Sequence, residues 1–167
     1  MQLITYPNNI LTETMPDFDF DNPVMPPDQL EEEMVKLMIN SNGLGLSANQ
    51  VGIRARVFTI FPQNLNGVTT PFALFNPKVV VTSPDNEVSG EGCLSFPQVY
   101  MMVERPINVV AEFLDRNANK CIIRFDNIDA RCFMHELDHL DGVCFTERVS
   151  PLKKERALKK LRKLQNG

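Results

Sequence analysis

The chain has 167 residues, 43% hydrophobic and 23% charged, with a formal net charge of −4, the make-up of one soluble globular domain. No run approaches the ~18 apolar residues that a membrane span requires, and residues 1–7 lack the basic start and apolar core of a secretory signal. Four cysteines at irregular spacing, without a CxxC pair, fit a reducing cytoplasm better than a disulfide framework.

In chain order, residues 12–27 read as a proline-rich, acidic loop. Asp28, with Glu31 three residues on, has the pattern of a capping box, and Leu30, Met34, Leu37 and Met38 mark the apolar face of the helix it opens. Asn42-Gly43 is a natural stop for that helix, because glycine accepts the left-handed conformation beyond a C-terminus. Strand-like runs follow at 56–61, 72–82, 107–114 and 120–125. They are rich in β-branched and aromatic residues, and polar turns at 64–67 and 115–119 predict antiparallel pairing. A helix at about 127–141, ended by Gly142, is expected to be buried against these strands. Ser150 and Pro151 open a last helix reaching residue 167, with Leu152, Leu158, Leu161 and Leu164 as an imperfect apolar stripe. This ordering is α+β, with antiparallel sheets packed around a central helix and a C-terminal helix.

The chain's only two histidines sit in that central helix, in His135-Glu136-Leu137-Asp138-His139. Positions i and i+4 project from one helical face with Cβ atoms about 6 Å apart, so both imidazoles can reach one divalent ion. Glu136 lies about 100° round the helix and is placed to act on a water at the ion's open position, as a general base for hydrolysis. The competing reading is a pair of surface histidines. No third histidine exists, so a third ligand must be a carboxylate or a thiolate. Glu147 and Glu155 are the downstream carboxylates, and Cys93, Cys121, Cys132 and Cys144 the thiols. Cys93 stands out, in Gly90-Glu91-Gly92-Cys93-Leu94-Ser95-Phe96-Pro97, where glycines and a proline suggest a tight, accessible loop. Cys121 reads as a filler in a half-buried strand, and Cys132 and Cys144 as core.

Three segments together resemble the peptide deformylase family: Gly43-Leu44-Gly45-Leu46-Ser47-Ala48-Asn49-Gln50, Glu91-Gly92-Cys93-Leu94-Ser95, and His135-Glu136-Leu137-Asp138-His139-Leu140-Asp141-Gly142. The resemblance implies a catalytic domain over 1–149, with the basic helix 150–167 belonging to the same domain. It implies hydrolysis of the formyl group from the initiator methionine of nascent chains. It further implies that Cys93, His135 and His139 hold the metal and that Glu136 is the base. Gln50 and the backbone N–H of Leu94 would stabilise the oxyanion. The family's metal is usually Fe2+, with Zn2+ or Ni2+ able to substitute. Gly45 would let a peptide backbone approach the sheet edge, with Leu44 as a wall of the methionine pocket. Arg105, paired with Glu91 or Asp138, would hold the ligand loop on the helix, the competing reading being that Asp138 and Arg105 are merely solvated.

The sequence also departs from the family. Met134 stands where glutamine is common and Ser47 where alanine is commoner, and neither is expected to touch the ligands. Arg131 lies one turn before His135, where an apolar pocket residue is expected, and Tyr100 occupies a loop position that often carries arginine. Both would alter the pocket. Seven of the 17 basic residues fall in 150–167 against one acid. Such a run is either a solvated helix face or, as in bacterial deformylases, a helix that docks on the ribosome, its charge suiting rRNA phosphates. No DNA or membrane partner is expected. Two other functions compete: a zinc endopeptidase using HExxH, and a non-enzymatic ribosome-binding relative with a residual metal site.

Overall fold

The computed structural model describes residues 1–165. The last two positions of the expected tail helix, Asn166 and Gly167, lie outside them. The described strands are β1 (Gly45–Ser47), β2 (Val57–Ile60), β3 (Phe72–Thr82), β4 (Asn86–Cys93), β5 (Phe96–Pro106), β6 (Asn108–Leu114) and β7 (Lys120–Asp126), and the α-helices are α1 (Pro27–Asn40), α2 (Asn127–Leu140) and α3 (Pro151–Gln165). One antiparallel sheet runs β1-β2-β3-β6-β7, and β4 and β5 form a separate hairpin. The α+β architecture is the one expected from the sequence.

The start of α1 differs from the capping box read at Asp28. Pro27 holds the first helical position after Pro26, and no side chain caps the end. Proline suits that position because its missing N–H has no helical partner there and its φ is already helical. Glu31 is used elsewhere: it accepts a hydrogen bond from the backbone N–H of Ala73 at 3.1 Å and pairs with Arg116. At the far end Asn42 (φ 56°), not Gly43, adopts the left-handed conformation that stops the helix. Gly43 is needed for closeness instead, since a Cβ there would lie 2.8 Å from Leu94 Cδ1.

The hairpin is the larger departure. Residues 90–97, read as a loop, continue as strand up to Cys93, turn through Leu94-Ser95 and return along β5, so Tyr100 is a strand residue. Gly90 and Gly92 resemble loop punctuation, yet they sit opposite Met102 and Tyr100. The Tyr100 ring lies so close over Gly92 that an added Cβ would meet Cε1 at 2.8 Å. An aromatic neighbour thus covers a glycine that would otherwise weaken the strand.

Helix α2 is buried on nearly every side. Phe133 anchors it, stacking on Phe125 (5.2 Å between centroids) and meeting Phe58 edge-on (5.3 Å). Gly142 (φ 73°) ends the turn after the helix where a Cβ would collide with the Thr12 carbonyl. Because most of α2 is buried, its polar residues must find partners inside the protein. Asp129 accepts from the backbone N–H groups of Gln63 and Asn64, which ties the loop after β2 to the helix start. In α3, Leu158 and Leu161 join the core, whereas Leu152 and Leu164 are exposed, so the apolar stripe is narrower than the four leucines suggest.

Candidate metal centre

Two elements bring the donor atoms together. His135 and His139 project from one face of α2 with ring centroids 5.0 Å apart, and Cys93 arrives at the end of β4 just before the hairpin turn. The ligand atoms of Cys93, His135 and His139 all lie within 4.8 Å of one another, and Cys93 Sγ is 3.2 Å from His139 Nε2. This is the one such group of His, Cys, Asp or Glu among the described residues, so Cys121, Cys132, Cys144, Glu147 and Glu155 stay outside it. His135 Nδ1 donates to Glu91 Oε2 at 2.9 Å, which orients the ring; burial works to lower its pKa, but the hydrogen bonds with Cys93 and Glu91 outweigh it and hold it well above the ordinary value, so an ion binding there would displace a proton. Burial, reinforced by the charges of His135 and Arg105, holds the pKa of His139 well below its ordinary value, so that imidazole is neutral. A thiol and two imidazoles within reach of one another suit a borderline divalent ion, and the residues present therefore fit a catalytic metal.

Charged groups that α2 could not bury alone are matched across the hairpin. Glu91 receives Nε and Nη2 of Arg105 at 2.9 and 3.1 Å, Nη1 of Arg131 at 2.8 Å, and His135. Burial works to raise its pKa, but the hydrogen bonds from His135 and Arg105 and their charges outweigh it and hold it at about 2. Arg105 also pairs with Asp138, which Arg148 grips from the other side. The pairing read from sequence as Arg105 with Glu91 or Asp138 is thus both at once. Arg131, expected as an intruder in an apolar pocket, lines the cleft but spends its guanidinium on Glu91 and on the carbonyls of Val103 and Glu87.

A cleft of about 510 Å³ opens beside these atoms, lined among others by Gly43, Leu44, Gly45, Gln50, Leu94 and Glu136. Tyr100, 81% exposed, stands at its mouth. Cys132, read as core, is half-buried and lines the cleft too, with Sγ 3.3 Å from the Leu44 carbonyl oxygen. Burial and the adjacent Glu136 carboxylate push its thiol pKa well up.

Glu136 is buried, which raises its pKa despite the opposing charge of His135 and a hydrogen bond from Ser47. Ser47 Oγ lies 2.7 Å from Glu136 Oε2. The sequence placed Ser47 away from the metal ligands, and only the fold reveals its contact with Glu136, because 89 residues separate the pair. Gln50 is fixed at both ends: Oε1 accepts from the Ser47 N–H at 2.8 Å, while Nε2 donates to Ser95 Oγ at 3.0 Å and lies 3.5 Å from Cys93 Sγ. Asn49 Nδ2 donates to the His139 carbonyl at 2.7 Å, another tie from this segment to α2.

A family model for polypeptide deformylase matches residues 1–155. The chain belongs to that family. The peptide deformylase of Rhizobium meliloti is 34% identical over 135 residues, covering 81% of this chain and 78% of the relative. That of Finegoldia magna is 40% identical over 127 residues, 76% of each chain. A crystal structure of peptide deformylase from Ehrlichia chaffeensis in complex with actinonin superposes with a TM-score of 0.90 at 30% identity, covering 100% of this chain and 98% of that one. This deformylase is a metalloenzyme that removes the N-formyl group from the initiator methionine of nascent polypeptides and releases formate. Neither the endopeptidase nor the non-enzymatic alternative describes it.

One residue of the cleft has a different reason for its identity than its sequence suggested. A Cβ on Gly45 would collide with the Glu136 carboxylate and lie 2.8 Å from Cys132 Sγ, so glycine is required by the packing of β1 on α2 as well as by any peptide that approaches. Gly45→Ala should displace Glu136 and lower formate release about 100-fold, the cost of an ångström-scale misplacement. Steady-state assays on folded variant test this, and an unchanged rate would contradict it.

Proposed function

We propose that Cys93, His135 and His139 hold the catalytic metal, that Glu136 moves the proton, and that Gln50 and the Leu94 N–H receive the developing oxyanion. The observation that carries this reading is the meeting of one thiol and two imidazoles beside a buried carboxylate in one cleft. A bound ion at this donor set would activate water and polarise the formyl oxygen. Glu136 takes a proton from the attacking water as its oxygen bonds to the formyl carbon. It returns that proton to the nitrogen as the C–N bond breaks, giving formate and a free amine. Burial suits it to both tasks by bringing its pKa up toward the operating range, and the Ser47 hydroxyl, donating to Oε2, holds the carboxylate in place. Gln50, seated by Ser47 and Ser95, presents an N–H beside Cys93 without having to reorganise.

The peptide lies as an added strand in the cleft. In their sheets β1 is outermost and β4 pairs only with β5, so each has an edge available, and Gly43–Gly45 and Gly90–Leu94 both line the cleft. Leu44 and Gly45 contact the substrate here, with Leu44 walling the methionine pocket. Tyr100 at the mouth gives the enzyme its own preference beyond the methionine. The ion is Fe2+, with Zn2+ or Ni2+ as substitutes, and the enzyme works in the cytoplasm. Residues 1–149 form the catalytic domain and 150–167 belong to it, as burial of Leu158 and Leu161 supports. With those leucines turned inward, Lys153, Arg156, Lys159, Lys160, Arg162 and Lys163 stay exposed, a basic face for ribosomal RNA.

Gln50→Ala should lower turnover of formyl-Met-Ala-Ser by ~10²-fold to 10³-fold, as loss of one oxyanion donor does, and Glu136→Ala should nearly abolish formate release. An unchanged turnover number in either variant refutes its assigned role. Protein purified without air should contain iron and lose activity on exposure to air, whereas the nickel-loaded form should keep it. Finding only zinc under those conditions would refute the assignment of iron. Truncation after Ser150 should weaken ribosome binding in a salt-dependent manner. Equal affinity of the two forms across a salt series would exclude docking through α3.

A further inference from the structure

Arg131 holds a place in the centre that its charge alone would not suggest. Arg131 and His135 are one turn apart on α2 and bind the same carboxylate, one at each oxygen: Arg131 Nη1 donates to Glu91 Oε1 at 2.8 Å and His135 Nδ1 donates to Oε2 at 2.9 Å. Arg105 supplies a second donor to each oxygen, from β5. The four acceptor directions of a carboxylate are then filled. Arg105 divides its donors between Glu91 on the hairpin and Asp138 on α2. Arg131 directs its own toward the hairpin. Its guanidinium also binds the carbonyl oxygens of Val103 and Glu87, each at 2.8 Å, so both strands of the hairpin are pinned to the helix that carries the histidines.

We propose that Arg131 is a positioning residue for the metal centre, acting through Glu91 to set the ring of His135 and the height of the Cys93 strand. This rests on the ligand assignment above. The guanidinium is already committed to three acceptors, so Arg131 serves the site as a clamp and not as a charge offered to substrate. Outer partners of metal-bound histidines change metal affinity by roughly 10-fold to 100-fold when lost, and that is the effect expected here.

The test is competition titration of Ni2+ into the metal-free full chain for the wild type, Arg131→Leu, Arg131→Lys, Glu91→Gln and the double variant Glu91→Gln with Arg131→Leu. Arg131→Leu should bind Ni2+ about 10-fold more weakly, and Arg131→Lys, which keeps the charge but lacks the planar fork that spans these separated acceptors, should recover only part of the loss. Added to Glu91→Gln, the Arg131→Leu change should have little further effect, because both act on one carboxylate. An affinity within twofold of wild type for Arg131→Leu, or full additivity with Glu91→Gln, overturns the proposal. If Arg131→Leu does not fold, a wild-type affinity for Arg131→Lys overturns it equally. Wild-type binding that is unchanged by Cys93→Ala would instead overturn the ligand assignment, so the two failures are distinguishable.

Discussion

The buried carboxylate of Glu91 is the joint on which this structure turns. The thiol of the site comes from a two-stranded hairpin and both imidazoles from a helix, and no backbone ladder connects those elements. Glu91 lies on the same strand as Cys93 and bonds to His135, while Arg105 on the returning strand reaches Asp138 on the helix. The alternation Arg131, Glu91, Arg105, Asp138, Arg148 gives each buried charge an opposite neighbour. Loss of Glu91 would leave the buried Arg131 without an opposite charge, and an unpaired buried charge costs about 3–5 kcal/mol. Such a network is a poor source of net stability and a good source of a single geometry. A metal centre assembled from two elements needs the second.

Around that joint the fold separates rigid from open parts. Helix α2 is enclosed by both sheets and anchored by Phe133, so the histidines and Glu136 sit on an element with little freedom to move. Glycines mark where something must come close: Gly45 against Glu136, Gly43 against Leu94, Gly92 beneath Tyr100. The cleft lies where the edge strand of the large sheet faces the hairpin, so a backbone entering it meets strand on both sides and the reacting groups at one end.

Much of this could be read from the sequence, and the exceptions have physical causes. HExxH is local: two histidines four residues apart on a helix must share a face whatever surrounds them. The strands at 72–82, 107–114 and 120–125 stood out because they are dense in β-branched and aromatic residues, even where those residues, as at Val80, Val81 and Ile122, are exposed. The hairpin was illegible for the converse reason. Most of β4 is exposed, its glycines look like turn residues, and what makes it a strand is pairing with β5, from Cys93 opposite Phe96 out to Asn86 opposite Pro106. Arg131 was seen as an anomaly, because nothing local announces that a carboxylate and two carbonyls from another element await it. Ser47 was passed over since its partner lies 89 positions on. Of the four cysteines Cys93 already stood out by its glycine- and proline-bounded setting, and it is the one that lies beside both histidines.

The central claim is that one hairpin sulfur and two helix imidazoles share a single ion that no fourth side chain closes off. X-ray absorption spectroscopy of the zinc-loaded full-length protein measures this directly. The account predicts one sulfur at roughly 2.3 Å, two imidazole nitrogens at roughly 2.0–2.1 Å, and a remaining light-atom ligand from solvent, with the sulfur scattering lost in Cys93→Ala. A spectrum without sulfur, or one with two sulfurs, would contradict it.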